Sequence, residues 1–367
     1  MKRTILIIAG MLLYFPLTAF AASADQAGKD IDENTENIAI LQEQISLLEQ
    51  HFKSQLKVSG YADVEYRSSS KPGDEPGFRL HHFSLFFKKK INEQWRFFSE
   101  IEYEDAPLVE FPEDPANCSD CSGKIFVEAM NIDYSWKSQA SFRFGRFFTP
   151  AGIWSIDHYP PFVPTQERPL HIRKIFPQLV DGTALFGRVS FASSFLTYDF
   201  YVGNGEGNPG HGDINSDKAS GLKFSLNFPL MDHTEIGATY YQDTLNDDTD
   251  KTVTGIHTKL EGGDFTFQAE YADGEYTPVT GQKYNSEGYY GQLYYQISNW
   301  LFGFRYDFFD KNSTVLIGSA TRESVFINYR VDKDIVFKRE YHETEPEDSA
   351  VQSTDLTIAS IAIYLGD

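Results

Sequence analysis

A 367-residue chain with a formal charge of −21 is too acidic to seek nucleic acid, whose phosphates require a basic surface. Its two cysteines, Cys118 and Cys121 in NCSDCSG, are too few for a disulfide framework or a four-cysteine zinc site. In an exported protein they are expected to pair with each other or to stay inert.

Lys2 and Arg3, an apolar run ending near Phe15, and the small-x-small sequence Ala19-Phe20-Ala21 read as a secretory signal peptide over residues 1–21. Cleavage after Ala21 leaves 346 of the 367 residues and, with Lys2 and Arg3 gone, takes the net charge from −21 to −23. Residues 22–55 carry a heptad pattern. Ile31, Ile38, Ile45 and Phe52 are spaced by seven, and Asn34, Leu41, Leu48 and Gln55 follow three later. This predicts a short periplasmic coiled-coil helix, marginal alone and stabilised by self-association, or else an amphipathic helix packed on the rest of the protein.

From Leu56 onward the period becomes two. In LKVSGYADVEYR, Val58, Ala62, Val64 and Tyr66 alternate with Lys57, Ser59, Asp63 and Glu65. NWLFGFRYDFF repeats the pattern, with Trp300, Phe302, Phe304, Tyr306 and Phe308 opposite Arg305 and Asp307. Sixteen such strands are predicted, starting near Leu56, Arg79, Gln94, Lys124, Ala140, Leu179, Phe195, Ala219, Thr234, Thr252, Asp264, Glu287, Trp300, Glu323, Ile335 and Asp355.

The connections alternate in length. Seven are short (KKINEQ, WKSQ, FASS, PLMDH, EGGD, SN and VDKD). Eight are long, over 68–77, 105–123, 146–178, 203–218, 244–251, 274–286, 310–322 and 343–354. Long and short connections that strictly interleave are the mark of an even-stranded barrel with both termini on the short-turn side. A soluble β-sandwich also alternates, but needs neither that rhythm nor an aromatic face on nearly every strand. Residues 56–367 are therefore expected to form an all-β fold, a 16-stranded antiparallel transmembrane β-barrel in the bacterial outer membrane. Lipid and lipopolysaccharide would surround it, and a charged inner face would hold an aqueous channel.

The inward phase carries Arg96, Arg143, Lys223, Lys259, Arg305, Arg330 and Lys338, interleaved with Asp63, Glu65, Glu100, Glu102, Asp199, Glu235, Glu270 and Asp307. The third long connection, 146–178, has six prolines, which oppose strand pairing. It also carries the apolar residues Ile153, Trp154, Tyr159, Phe162 and Val163, which need a wall to pack on. Its charged members past Arg146 are Asp157, Glu167, Arg168, Arg173 and Lys174, with His158 and His171, a local net of +1 in an acidic chain. Basic groups in a constriction favour anions. Alternatively, Arg168, Arg173 and Lys174 pair with wall carboxylates and only pin the loop.

The stretch GRFFTPAGIWSIDHYPPFVPTQERPLHIRKIFPQLVDG, together with the heptad segment and VSGYADVEYR, resembles the phosphate-selective porin O and P family. The resemblance covers the mature chain, most closely residues 56–187. It implies a homotrimeric diffusion channel whose third loop folds inward, passing small anionic solutes such as phosphate.

No enzyme, cofactor or metal is expected. There is no G-x-S-x-G elbow and no H-E-x-x-H. Asp213, Asn215 and Asp217 open like an EF-hand, but Lys218 and Phe224 stand where that loop needs Gly and Glu. Loose calcium binding by such loops, bridging to lipopolysaccharide, stays open. A hydrolase assembled in space and an adhesin are the rival readings.

Overall fold

A computed structural model describes residues 40–44, 55–105, 124–206, 213, 215–314 and 318–366. Residues 40–44 are helical, within the predicted heptad segment. The rest of that segment, the leader, Cys118 and Cys121 lie outside the described residues. Among the described residues no helix is long and apolar enough to cross a membrane.

Residues 56–367 contain sixteen strands: β1 (Lys57–Ser69), β2 (Gly77–Lys90), β3 (Trp95–Glu104), β4 (Lys124–Lys137), β5 (Ala140–Phe148), β6 (Leu179–Phe191), β7 (Ser194–Gly203) and β8 (Ala219–Phe228), followed by β9 (His233–Thr244), β10 (Asp250–Gly262), β11 (Phe265–Thr277), β12 (Tyr284–Ile297), β13 (Trp300–Asp310), β14 (Ala320–Arg330), β15 (Ile335–Pro346) and β16 (Thr354–Leu365). Each pairs antiparallel with its chain neighbours, and β1 pairs with β16 to close the barrel. Closure removes both sheet edges.

The predicted starts fall within three residues of these bounds, and the largest offsets have one cause. β12 and β14 begin at Tyr284 and Ala320, where Glu287 and Glu323 were expected. Their outer ends continue pairing through polar residues, as in Thr321 with Glu345 and Glu275 with Asn285. Alternating hydrophobicity marks only the apolar band and misses such extensions. For the same reason the fifth long connection contracts to a tight turn in which Leu245 donates to the Thr249 carbonyl at 2.9 Å.

Outward side chains form an apolar band, with Phe83, Ile132, Ile236, Ile256, Leu293 and Phe302 exposed. Aromatic pairs ring both rims. Trp95 with Tyr134, Phe265 with Tyr295 and Trp300 with Tyr329 lie toward the short turns, at 4.6–4.7 Å between centroids. Tyr66 with Phe78 and Tyr289 with Phe308 lie toward the long connections.

Besides a register shift of β4 against β5 at Ser135/Lys137, beside their short turn, two β-bulges break the alternation on one side of the barrel. The register of β1 against β2 shifts at Asp63/Val64, so His81 is an extra residue beside His82. The register of β3 against β4 shifts at Glu100/Ile101, leaving Glu128 extra beside Ala129. A bulge lets two successive side chains point the same way. Glu128 and Ala129 are both buried inside the barrel, and so is His82, with His81 at its side.

Candidate functional site

The third long connection folds into the lumen. Its neck is tied at both ends. Thr149 donates to the Gln178 carbonyl at 3.0 Å, and Arg146 makes two bonds to Asp181 at 2.6 and 2.7 Å. Gln178 and Arg173 both reach the Glu128 carboxylate, at 2.6 and 3.1 Å.

Past the neck, the loop's own backbone is gripped by the wall. Lys223 donates to the Gly152 carbonyl at 2.5 Å, and Trp154 N donates to Glu270, which also accepts from Tyr290. The tip meets β13–β15. Arg330 donates to Pro161 O, Lys338 to Val163 O and Asn328 to Pro164 O, at 2.7–2.9 Å. Arg305 donates to the Thr165 hydroxyl at 2.6 Å and to Glu167 O at 3.0 Å. Glu340 accepts from Gln166 N at 2.6 Å, and Asp307 from Leu170 N at 3.3 Å. Prolines explain this mode of attachment. A segment that cannot complete a strand ladder leaves carbonyls unpaired, and buried carbonyls need donors.

The apolar loop residues find the packing their composition demands. Trp154, Val163 and Ile172 form a small core with Tyr290. Ile175 and Phe176 pack with Phe147, Tyr201, Tyr241 and Val253. Tyr159 stacks among Tyr61 and Phe86 and donates to Glu100 at 3.2 Å. The attachments go round the barrel, from β1, β3 and β4 to β8 and β11–β15, rather than along one wall.

The predicted site residues divide into three groups. Arg305, Asp307, Lys223, Lys338 and Arg330 are on the inner wall but serve the loop, and Arg305 is 0% exposed. Arg173 is tied to Glu128, and Glu167 to Arg67 and Arg322, each at 3.2 Å. His158, His171 and Glu100 are buried, while Asp157 and Lys174 remain in solvent contact. Burial holds the His171 imidazole down to about 3, helped by the charges of Lys174 and Arg305. Arg168 is half-buried, and its Nη1 has no hydrogen-bond partner. Arg96 lies near the short-turn rim, in register with Lys90 and Asp133, and Arg143 bonds Asp133 at 2.7 Å. Lys218 pairs with Asp213 in the EF-hand-like stretch.

The sequence reading missed Glu128, Glu340, Asn328 and Thr165. Glu340 and Asn328 were within reach, because they share the inward phase with Lys338 and Arg330. Glu128 was hidden by its bulge. The signal was an acid standing in the lipid-facing phase of FVEAMNID, between outward Ile125 and Met130.

No family model matches the chain. An uncharacterised protein of Aquifex aeolicus is 28% identical over 197 residues, which cover 53% of this chain and 39% of that protein's length. Among solved structures, the anion-selective porin from Comamonas acidovorans superposes with a TM-score of 0.64 at 11% identity, covering 85% of this chain and all of that one. OmpF of Salmonella typhi, in complex with daunomycin, superposes with a TM-score of 0.61 at 14% identity, covering 85% and 98%. The chain thus has the fold of bacterial outer-membrane porins.

Proposed function

We propose that this protein is an outer-membrane porin, a homotrimer passing small hydrophilic solutes by passive diffusion through a narrow, anion-preferring lumen. The observation that carries this reading is the third loop, seated inside a closed 16-stranded barrel by wall side chains on both flanks. An apolar outer band between two aromatic rims suits a bilayer. A wet, charged interior suits a channel.

The anion preference rests on what the loop leaves uncommitted. Toward the long connections, Lys174 is exposed over the Phe309 ring at 4.5 Å, with Arg322 and Lys311 as charged neighbours. Its desolvating surroundings, and then Arg322, hold its ammonium below the ordinary lysine range. The acids near them are already committed, Glu167 to Arg67 and Arg322 and Asp307 to Arg305. Lys174, Arg322 and Lys311 form a cationic approach to the constriction, and phosphate is the solute that suits guanidinium and ammonium donors.

A cation-preferring porin is the second reading. It is favoured by exposed Asp157 and by Glu235 on the short-turn side. Planar-bilayer recording under a KCl gradient separates the two. The anion reading expects an anion-signed reversal potential, block by added phosphate, and a shift toward cations in Lys174→Glu. A cation-signed potential unchanged by that substitution would assign the filter to the acids instead.

A further inference from the structure

The bulge between β1 and β2 builds a second cluster, which among the described residues bonds the loop only through Gln166. Successive strand residues ordinarily face opposite ways. Here His81 and His82 sit side by side, ring centroids 3.6 Å apart, facing the carboxylates of β1. Asp63 lies between them, its Oδ1 2.8 Å from His82 Nδ1 and its Oδ2 3.3 Å from His81 Nδ1. Glu65 Oε2 is 3.4 Å from the same His81 nitrogen. One donor atom each from Asp63, His81 and His82 lies within 4.8 Å of the others.

Two atoms at the centre of this cluster face each other at 3.4 Å without a well-directed hydrogen bond. Glu65 is 1% exposed, and its Oε2 is buried without a hydrogen bond, as is His81 Nδ1. Leaving a buried carboxylate oxygen and an imidazole nitrogen unpaired is costly unless something is to be held between them. We propose that Asp63, His81 and His82 form a binding site for a divalent transition-metal ion, with the Glu65 carboxylate as a neighbour of His81.

Three protein ligands suit a small tetrahedral ion that keeps its fourth position open. Ligands at about 2.0–2.1 Å from a zinc ion stand roughly 3.3 Å apart along a tetrahedron's edge. The 3.3 Å separation of His81 from Asp63 already matches this. The His82–Asp63 contact has to open by about half an ångström. Two imidazoles and a carboxylate select zinc, copper or nickel over calcium or magnesium, which take oxygen donors. Outer partners are in place. Gln166 of the loop tip donates to Asp63 Oδ2 at 3.2 Å, and Arg79 to Glu65 Oε1 at 2.7 Å. Such partners orient the ligands and raise affinity.

The test is zinc titration of the full-length, tag-free protein in detergent, followed by calorimetry, with cobalt(II) substitution read by its visible absorption. One zinc per chain is expected, together with the intense bands of four-coordinate cobalt. Both should be lost in His81→Gln, and zinc affinity should fall about 10–100-fold in Gln166→Ala, as for other outer partners. Each variant is checked for its folded, heat-modifiable gel band. Should His81→Gln fail that check, His82→Gln replaces it. Absence of saturable zinc uptake, or uptake undiminished in a folded ligand variant, overturns the site and leaves His81 as a hydrogen-bond bridge between two acids.

Discussion

The seating of the third loop hinges on Arg305, and its removal has a calculable consequence. The guanidinium is fully buried, holding the Thr165 hydroxyl, the Glu167 carbonyl and, at 2.9 Å, the Asp307 carboxylate. Asp307 in turn receives Leu170 N. Arg305→Met keeps most of the side-chain volume but leaves Asp307 buried without its counter-charge. Breaking one half of a buried pair costs about 3–5 kcal/mol. If that cost falls on the docked loop, the docked-to-undocked ratio drops by roughly two to three and a half powers of ten. Two readouts follow. Single-channel conductance should rise and become noisy as the loop leaves the lumen. Trypsin, which the barrel excludes, should cut after Arg173 and Lys174 far faster. Removing both charges in Arg305→Met with Asp307→Leu should restore much of the protection, since an apolar pair replaces a buried ion pair at little cost. If Arg305→Met shows wild-type conductance and wild-type trypsin resistance, the buried pair does not seat the loop and the reasoning is wrong.

Other expectations follow from the same geometry. Gly152 has φ of +51°, and a Cβ there would stand 1.6 Å from Glu270 Oε2, so Gly152→Ala should displace Glu270 from Trp154 N and widen the channel, seen as a conductance increase. His171 is held neutral by burial among Tyr290, Lys174 and Arg305, with Glu270 beyond the Tyr290 hydroxyl. Its pKa is depressed on docking, so its contribution is complete above about 6.5 and is lost as pH falls toward 3. Conductance bursts should therefore grow more frequent between pH 6 and 4, and His171→Asn should flatten that response.

The sequence made the barrel legible because one rule acts on every strand. A side chain facing lipid must be apolar, and its neighbour facing water need not be. That rule located β5, β13 and β15 at their first residues. It also marked residues 146–178 as an inward loop, since Trp154 and Tyr159 had no other apolar surface to cover. The rule is silent on which inward charge meets which. Arg305 and Lys338 read as channel-lining from their phase alone. Only the threading of the loop shows that they bind its carbonyls. It also fails where the backbone slips by one inside the barrel: the slips at His81 and Glu128 each left a polar residue where lipid-facing phase was expected. An ionisable group out of phase in a barrel strand is thus a readable sign of a bulge.

The loop's seats are far away along the chain: Gln166 meets Glu340 174 positions later, and Val163 meets Lys338 175 later. The tip, made early, therefore cannot complete its seating until the last strands are made, although Glu128, Lys223 and Glu270 can hold its neck and flank sooner. Contacts of such separation form late, because the chain between them must be ordered first. Assembly thus runs in a fixed order, with a wider cylinder first and a narrowed one only afterwards. If the loop is the filter proposed above, selectivity is the last property the barrel acquires, and a chain truncated within β14 would never acquire it.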